Sequence, residues 1–402
     1  MKFLIILAFY SSAVFSFADS QNGRDVPLRT IVNGALDFSL RQSLRMAKTL
    51  DTIHGALPKT VNTVGQLETC SSSWWTSGFF PGTLWYLYEY CGNDTLREFA
   101  KEFTSRVEKE QFTTNNHDVG FIINCSFGNG YRLTGDTSYR NILQTAAHSL
   151  ATRFNPAVGC IRSWDYSDWS RKWQYPVIID NMMNLELLEV AAKEFHEKVL
   201  SGIADTHART TMKNHFRADN SSFHVVSYDT LTGAVQVKQT AQGYSDASSW
   251  ARGQAWGLYG FAMMYRFTHD TSYLHQAERI ADFIVHHPRL PEDKIPYWDF
   301  DAPDIPDALR DASAGAIICS ALIELSEYVP AQKSHEYLSV AKTQIRTLSS
   351  RAYLGAAASN ANFILNHSVG NIPGGTEIDV PLSYADYYYV EALMRMKKLN
   401  GW

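Results

Sequence analysis

The chain has 402 residues, of which 45% are hydrophobic, 19% charged and 13% aromatic. That composition excludes intrinsic disorder. A net charge of −5, spread without long runs over 36 basic and 41 acidic residues, excludes the clustered basic surface that nucleic-acid binding needs. The length by itself suggests two or three domains, although one large barrel fits it too.

Met1-Lys2 is followed by an apolar run over 3–10 and by Ser16-Phe17-Ala18. This predicts a secretory signal peptide over 1–18 and a secreted, extracellular protein. The run is too short to span a membrane and no other stretch of about 20 apolar residues occurs, so no membrane association is expected. Residues 19–40 read as a lead-in and 41–402 as one catalytic domain, because no Pro-, Ser- or Gly-rich linker divides them. Asn-X-Ser/Thr sequons at Asn93, Asn124, Asn220 and Asn366 fit a secreted glycoprotein. Asn124 stands in an apolar segment and is expected to be buried and unmodified. Of the five cysteines, Cys125 and Cys319 read as core residues, whereas Cys70 and Cys91 could form a bridge.

Apolar residues recur at helical spacing over 83–90, 139–153, 181–195, 249–267, 273–285, 312–328 and 334–349. Two β-rich stretches, 222–229 and 234–239, flank Thr230-Leu231-Thr232-Gly233 and predict a small inserted β-hairpin. Six segments open with polar or aromatic residues and then run into a helix apolar nearly all round. They begin near Trp75, Asp118, Asp180, Arg252, Asp311 and Tyr384. A helix apolar on every face is buried on every face. Six such helices alternating with amphipathic ones predict an all-α fold, an (α/α)6 barrel. In that fold the inner helices run the same way, so the six openings line one mouth.

The openings carry the residues that could do chemistry. Trp75, in Trp74-Trp75-Thr76-Ser77-Gly78, could stack on a sugar ring, although core packing is the commoner fate of a Trp. Asp118 follows His117, and Asp180 follows an apolar run over 177–179. Either Asp could simply cap its helix. Two carboxylates at one mouth, one of them behind an apolar wall, also suit acid/base work on sugars. For that, burial and mutual repulsion must outweigh the pull of the helix dipole towards a low pKa. His224 lies on the opposite side of its strand from Phe223 and Val225. Arg252 and Trp256 are i, i+4 neighbours on one helix. A buried Arg252 demands an anionic partner, either within the protein or on a ligand. No metal-ligand spacing, phosphate-binding glycine loop or nucleophile elbow occurs, so no metal and no nucleotide or other cofactor is expected.

Together these residues resemble the unsaturated glucuronyl hydrolases, glycoside hydrolase family 88. The matching stretches are 75–82, 117–121, 180–188, 242–259, 296–304 with 311–315, and 366–394 with its Tyr384-Ala-Asp-Tyr-Tyr motif. The resemblance implies an (α/α)6 barrel acting on unsaturated uronic-acid oligosaccharides left by polysaccharide lyases. It implies Asp180 as the acid/base that hydrates the C4=C5 bond and Asp118 as the second carboxylate. His117, His224, Gln242, Arg252 and Trp256 would line the substrate site, with Trp75 and Trp164 as aromatic walls. From its charge, Arg252 would take the uronate carboxylate. A sister family acts on unsaturated rhamnogalacturonyl fragments, but its counterpart of Arg252-Gly253-Gln254-Ala255-Trp256 usually reads Arg-Gly-Asn-Gly-Trp. Some bacterial members read substrate sulfate with a Lys in a C-terminal loop, and the corresponding loop here, 367–377, has none. The alternatives are the rhamnogalacturonyl activity and a secreted, non-catalytic carbohydrate-binding helical protein.

Overall fold

A helix with no polar stripe can be stable only inside other helices. All 14 residues of Ala312–Leu325 are buried. The computed structural model describes residues 26–356 and 359–402, so the expected signal peptide lies outside the described residues. In chain order the helices are α1 (Leu28–Asp51), α2 (Phe79–Cys91), α3 (Asp94–Ser105), α4 (Val119–Ile123), α5 (Asn129–Thr134), α6 (Thr137–Ala151) and α7 (Asn181–Phe195). They continue with α8 (Lys198–Asn214), α9 (Ala251–Thr268), α10 (Thr271–Val285), α11 (Ala312–Leu325), α12 (Ala331–Leu348) and α13 (Ser383–Leu399).

An inner ring runs from α2 through α4 and α5 to α7, α9, α11 and α13, and α13 closes on α2. Outside it, α3 packs on α2, α6 on α4, α8 on α7, α10 on α9, α12 on α11 and α1 on α13. This is the (α/α)6 barrel expected from the alternation of fully apolar and amphipathic helices. The inner helices share one direction, and their N-terminal ends meet at one mouth. The sixth outer helix begins at Leu28 and so draws part of the stretch read as lead-in, 28–40, into the barrel wall.

The inner element formed by α4 and α5 is interrupted by a π turn, Asn124–Gly128. A β-carbon on Gly128 would meet Asn124 Oδ1 at 2.7 Å, so this side chain lies over the extra residue of the turn. The interruption leaves Asn124 half-buried, not buried as its apolar neighbours suggested.

Short strands decorate the loops. β1 (Leu57–Val61) pairs with β2 (Leu67–Cys70), and β3 (Phe154–Asn155) with β4 (Cys160–Ile161). β5 (Pro176–Ile178), β6 (Val225–Tyr228) and β7 (Val235–Gln239) form one antiparallel sheet, and β8 (Ser368–Asn371) pairs with β9 (Thr376–Val380). The expected hairpin is therefore three-stranded. Val177 and Ile178 lie against Val226 and Val225, a buried β-branched pairing that periodicity within either segment alone cannot reveal. All five cysteines are free thiols, so the bridge considered between Cys70 and Cys91 does not form; Cys125 and Cys319 are buried, as expected.

Candidate active site

Helix N-termini leave backbone N–H groups unpaired, and an Asx side chain usually takes one of them. Asn93, Asp136, Asp270 and Asp311 all do so, accepting from Leu96, Ser138, Ser272 and Ser313. Asp118 and Asp180 occupy the same cap position on α4 and α7, yet neither side chain makes a cap bond. Their carboxyls are left for something else.

Two local features bring them together. Gly120 lets the start of α4 press onto α7: a β-carbon there would sit 2.5 Å from Asn184 Oδ1, which accepts a 2.8 Å hydrogen bond from the Phe121 N–H. The β5–β6 pairing sets His224 beside Asp180, with the Ile179 N–H donating to the His224 carbonyl at 3.0 Å. His224 Nε2 then lies 3.6 Å from Asp180 Oδ2. His224 Nδ1 accepts from the backbone N–H groups of Ala241 (3.0 Å) and Gln242 (3.2 Å). An accepting Nδ1 carries no proton, so the ring proton is on Nε2 and faces Asp180. His117 is buried and its Nε2 lies 3.4 Å from Asp118 Oδ1.

Asp180 is 7% exposed and its Oδ2 has no hydrogen-bond partner. Burial pushes its carboxyl up to about 7, against the opposing pull of Arg252 and the Trp256 indole N–H. Burial and the Asp180 charge together push Asp118 up to about 7, against the pull of Arg153. Two carboxyls that influence each other lose their protons as a pair. The histidines do not compensate them. Burial and the nearby Arg153 push His117 down to about 3, and burial with Arg252 takes His224 well below its ordinary value. Each Asp thus meets a neutral imidazole in place of a cation. A raised pKa alone does not mark the site: burial also pushes Glu189 and Asp386 up to about 7, and both Asp386 oxygens are already taken by the Ile364 and Leu365 N–H groups.

Arg252 is 1% exposed, and its partner is within the protein. Its Nη1 lies 3.3 Å from Asp311 Oδ2 and donates to the Val369 carbonyl, and its Nη2 donates to the Gly370 carbonyl at 2.6 Å. The charge argument for a ligand carboxylate on Arg252 falls away. Its fork instead ties the β8–β9 loop to the mouth, and Gln242 Nε2 reaches the same Gly370 carbonyl at 3.2 Å. Trp256 is fully buried among Phe121 (5.2 Å), Tyr388 (5.4 Å) and Tyr384 (6.5 Å). It has no free face for a sugar, and what it offers is an Nε1–H that acts on Asp180 without forming a hydrogen bond of normal geometry.

The other two tryptophans are placed differently. Trp75 is half-buried and packs on Tyr384 at 4.8 Å and Phe121 at 5.8 Å. Trp164 is half-buried with its ring 6.2 Å from that of His224. The structure adds Trp250, whose ring lies 4.5 Å from His224 and 4.3 Å from the Arg252 guanidinium. It also adds Asn184 and Arg153. Asn184 carried a signal, standing one helical turn after Asp180. Arg153 carried none, because it ends an outer helix far along the chain from either Asp. Among the described residues no group of three or more His, Cys, Asp or Glu could hold a metal ion, and no helix is long and apolar enough to cross a membrane.

Paired carboxyls freed from capping, set among aromatic rings at the mouth of an (α/α)6 barrel, mark the class as a glycoside hydrolase. The family model of Glycosyl Hydrolase Family 88 matches residues 49–401, and the chain belongs to that family. It is 48% identical to the unsaturated glucuronyl hydrolase of Formosa agariphila, over 81% of this chain and 80% of that protein. It is 32% identical to the unsaturated chondroitin disaccharide hydrolase of Streptococcus pneumoniae, over 93% of this chain and 94% of that one. The crystal structure of an unsaturated glucuronyl hydrolase specific for heparin superposes with a TM-score of 0.89 at 47% identity, covering 93% of this chain and 98% of that one. A mutant unsaturated glucuronyl hydrolase from Streptococcus agalactiae, complexed with dGlcA-GalNAc6S, gives a TM-score of 0.76 at 28% identity, covering 94% of this chain and 95% of that one.

Proposed function

We propose that the chain is an unsaturated glucuronyl hydrolase that releases the terminal Δ4,5-unsaturated uronic acid from oligosaccharides made by polysaccharide lyases. The observation that carries this reading is Asp180, buried at the mouth, free of any cap bond, with its carboxyl pushed up to about 7. Such a group holds a proton near neutral pH and can still give it up, as a general acid must.

The enol ether of the unsaturated uronate is most basic at C4. Asp180 transfers its proton there, leaving positive charge shared between C5 and the ring oxygen. Water adds at C5 and returns a proton to the Asp180 carboxylate. The C5 hemiketal then opens to a ketone, and the C1 hemiacetal it leaves behind expels the remaining saccharide. No bond to the leaving sugar is protonated in the first step, so the reaction is a hydration followed by collapse. The Trp256 N–H and the His224 Nε2–H steady the Asp180 carboxylate between the two transfers. Asp118 binds sugar hydroxyls with His117 buried behind it, Trp75 and Trp164 flank the ring, and Gln242 and Arg252 hold the β8–β9 loop against the substrate.

A relative specific for heparin and another complexed with dGlcA-GalNAc6S support a glycosaminoglycan-derived fragment as the substrate. Secretion behind a cleaved leader, with a glycan on the exposed Asn93, belongs to the same reading; it rests on the leader pattern and the exposure of that sequon. Unsaturated glucuronyl disaccharides should lose their enol-carboxylate ultraviolet absorbance in the presence of the protein. Cleavage of saturated glucuronides, or preference for unsaturated galacturonyl-rhamnose, would remove this activity from the chain.

A further inference from the structure

The loop between β4 and β5 carries three tryptophans that the proposed chemistry does not all use. Trp164 faces the site, and Trp173 is 2% exposed with its Nε1–H donating to Gln239 Oε1 at 2.8 Å. Trp169 packs on both, with its ring 4.6 Å from Trp164 and 6.0 Å from Trp173, yet it stays 56% exposed. A scattered exposed aliphatic needs no explanation, but a large ring held bare does.

The loop is not loosely tethered. Ser170 Oγ accepts from the Ser167 N–H at 2.9 Å and donates to the Asp165 carbonyl at 2.8 Å, and the Trp173 N–H donates to the Ser170 carbonyl at 3.0 Å. Trp169 is therefore presented in one orientation, and little conformational freedom is lost when something stacks on it. Three charged neighbours in the chain, Asp168, Arg171 and Lys172, are exposed, and Lys172 Nζ lies 4.3 Å from the centre of the Trp173 ring. The line of contact is continuous: Asp180 to His224 at 3.6 Å, the His224 ring to Trp164 at 6.2 Å, and Trp164 to Trp169 at 4.6 Å.

We infer that Trp169 is an outer subsite for the third sugar of the oligosaccharide, two residues beyond the unsaturated uronate. The inference rests on the glucuronyl hydrolase reading, because the ring it stacks on is part of that substrate. An apolar sugar face covers the indole. The protein then discriminates by chain length, favouring tetrasaccharides over disaccharides.

The test compares kcat/KM on unsaturated di- and tetrasaccharides of one glycosaminoglycan repeat for the wild type, Trp169→Ala and Trp169→Phe. Trp169→Ala is expected to lower the tetrasaccharide value about ten-fold, equivalent to about 1.4 kcal/mol, while the disaccharide stays within about two-fold. Trp169→Phe, which keeps an aromatic face, is expected to recover most of the loss. An unchanged tetrasaccharide value overturns the inference, and so does an equal fall on both substrates, which is what mere support of Trp164 would give. In both cases the wild type still consumes the disaccharide, so the glucuronyl reading stands. If the wild type consumes neither substrate, that reading fails and the inference fails with it.

Discussion

Two groups of buried ionisable side chains lie at opposite ends of the same inner ring, and they are handled in opposite ways. At the closed end, Arg395 bonds Glu324 and lies 3.5 Å from Glu391, and Arg266 lies 3.2 Å from Glu324 and 2.6 Å from Glu186. Glu391 also accepts from the hydroxyls of Tyr86 (2.8 Å), Tyr259 (3.0 Å) and Ser320 (2.5 Å). Burial pushes Glu324 up, but Arg395 and Arg266 outweigh it and hold the carboxyl below its ordinary value. At the mouth, Asp118 and Asp180 are also largely withdrawn from water, face neutral histidines and rise to about 7. Burial sets the size of the penalty; the two cations on Glu324 outweigh it, whereas Arg266 alone does not outweigh it at Glu186. One end is built to hold the barrel together and the other to hold a proton.

That contrast makes predictions of different size. The largest effect is expected from Asp180→Asn, which removes the proton donor without changing shape. Turnover of unsaturated disaccharides, followed by absorbance, should fall by about 10²- to 10⁴-fold, the range of general acid/base contributions, and the melting temperature should not drop. A melting temperature that collapses with the activity would place Asp180 with the structural group. Glu324→Ala should do the reverse. Removing one partner of a buried network leaves Arg395 and Arg266 uncompensated, so urea unfolding should show a loss of about 3–5 kcal/mol. Arg252→Lys, which cannot hold Asp311 and two carbonyls at once, should raise KM more than it lowers kcat; an unchanged KM would show that the β8–β9 loop needs no tie.

A further effect is on the pH dependence of stability. The ordinary aspartate value is 3.8, and the folded protein raises Asp118 and Asp180 to about 7. Their folded forms bind protons more tightly than the unfolded chain, so their contribution is most favourable below about pH 4 and is lost as pH rises to about 7. Urea midpoints for Asp180→Asn should therefore exceed those of the wild type most clearly above pH 7 and least at pH 4. The kcat/KM of the wild type should decline above about pH 7 as the pair loses its last proton.

Much of the barrel was legible along the chain, because burial on all faces writes itself into every position of a helix. Both candidate carboxylates stood out for their place before such helices. The choice between capping and chemistry did not, since the same Asp-before-helix pattern caps at Asp311 and does not at Asp180. Arg252 and Trp256 were found as residues, but their contacts were not. The Arg charge promised an anion, and that anion turned out to be Asp311, 59 positions further along. Trp256 was expected to line the substrate site, and Phe121 and Tyr388 pack around its ring.

The sequence by itself determined the inner helices and which residues stand at their entrances, since these follow from side-chain period and local turn chemistry, while the outer helices α1, α3 and α8 were not marked. Only the tertiary structure decided what those residues touch. It took the packing of α4 on α7 to place Asp118 near Asp180, strand pairing of β5 with β6 to aim His224, and the return of the β8–β9 loop to occupy Arg252. Each of these is a contact between segments far apart in the chain. A pKa depends on such contacts: desolvation and Coulomb energy are set by distance in space, which no local pattern encodes.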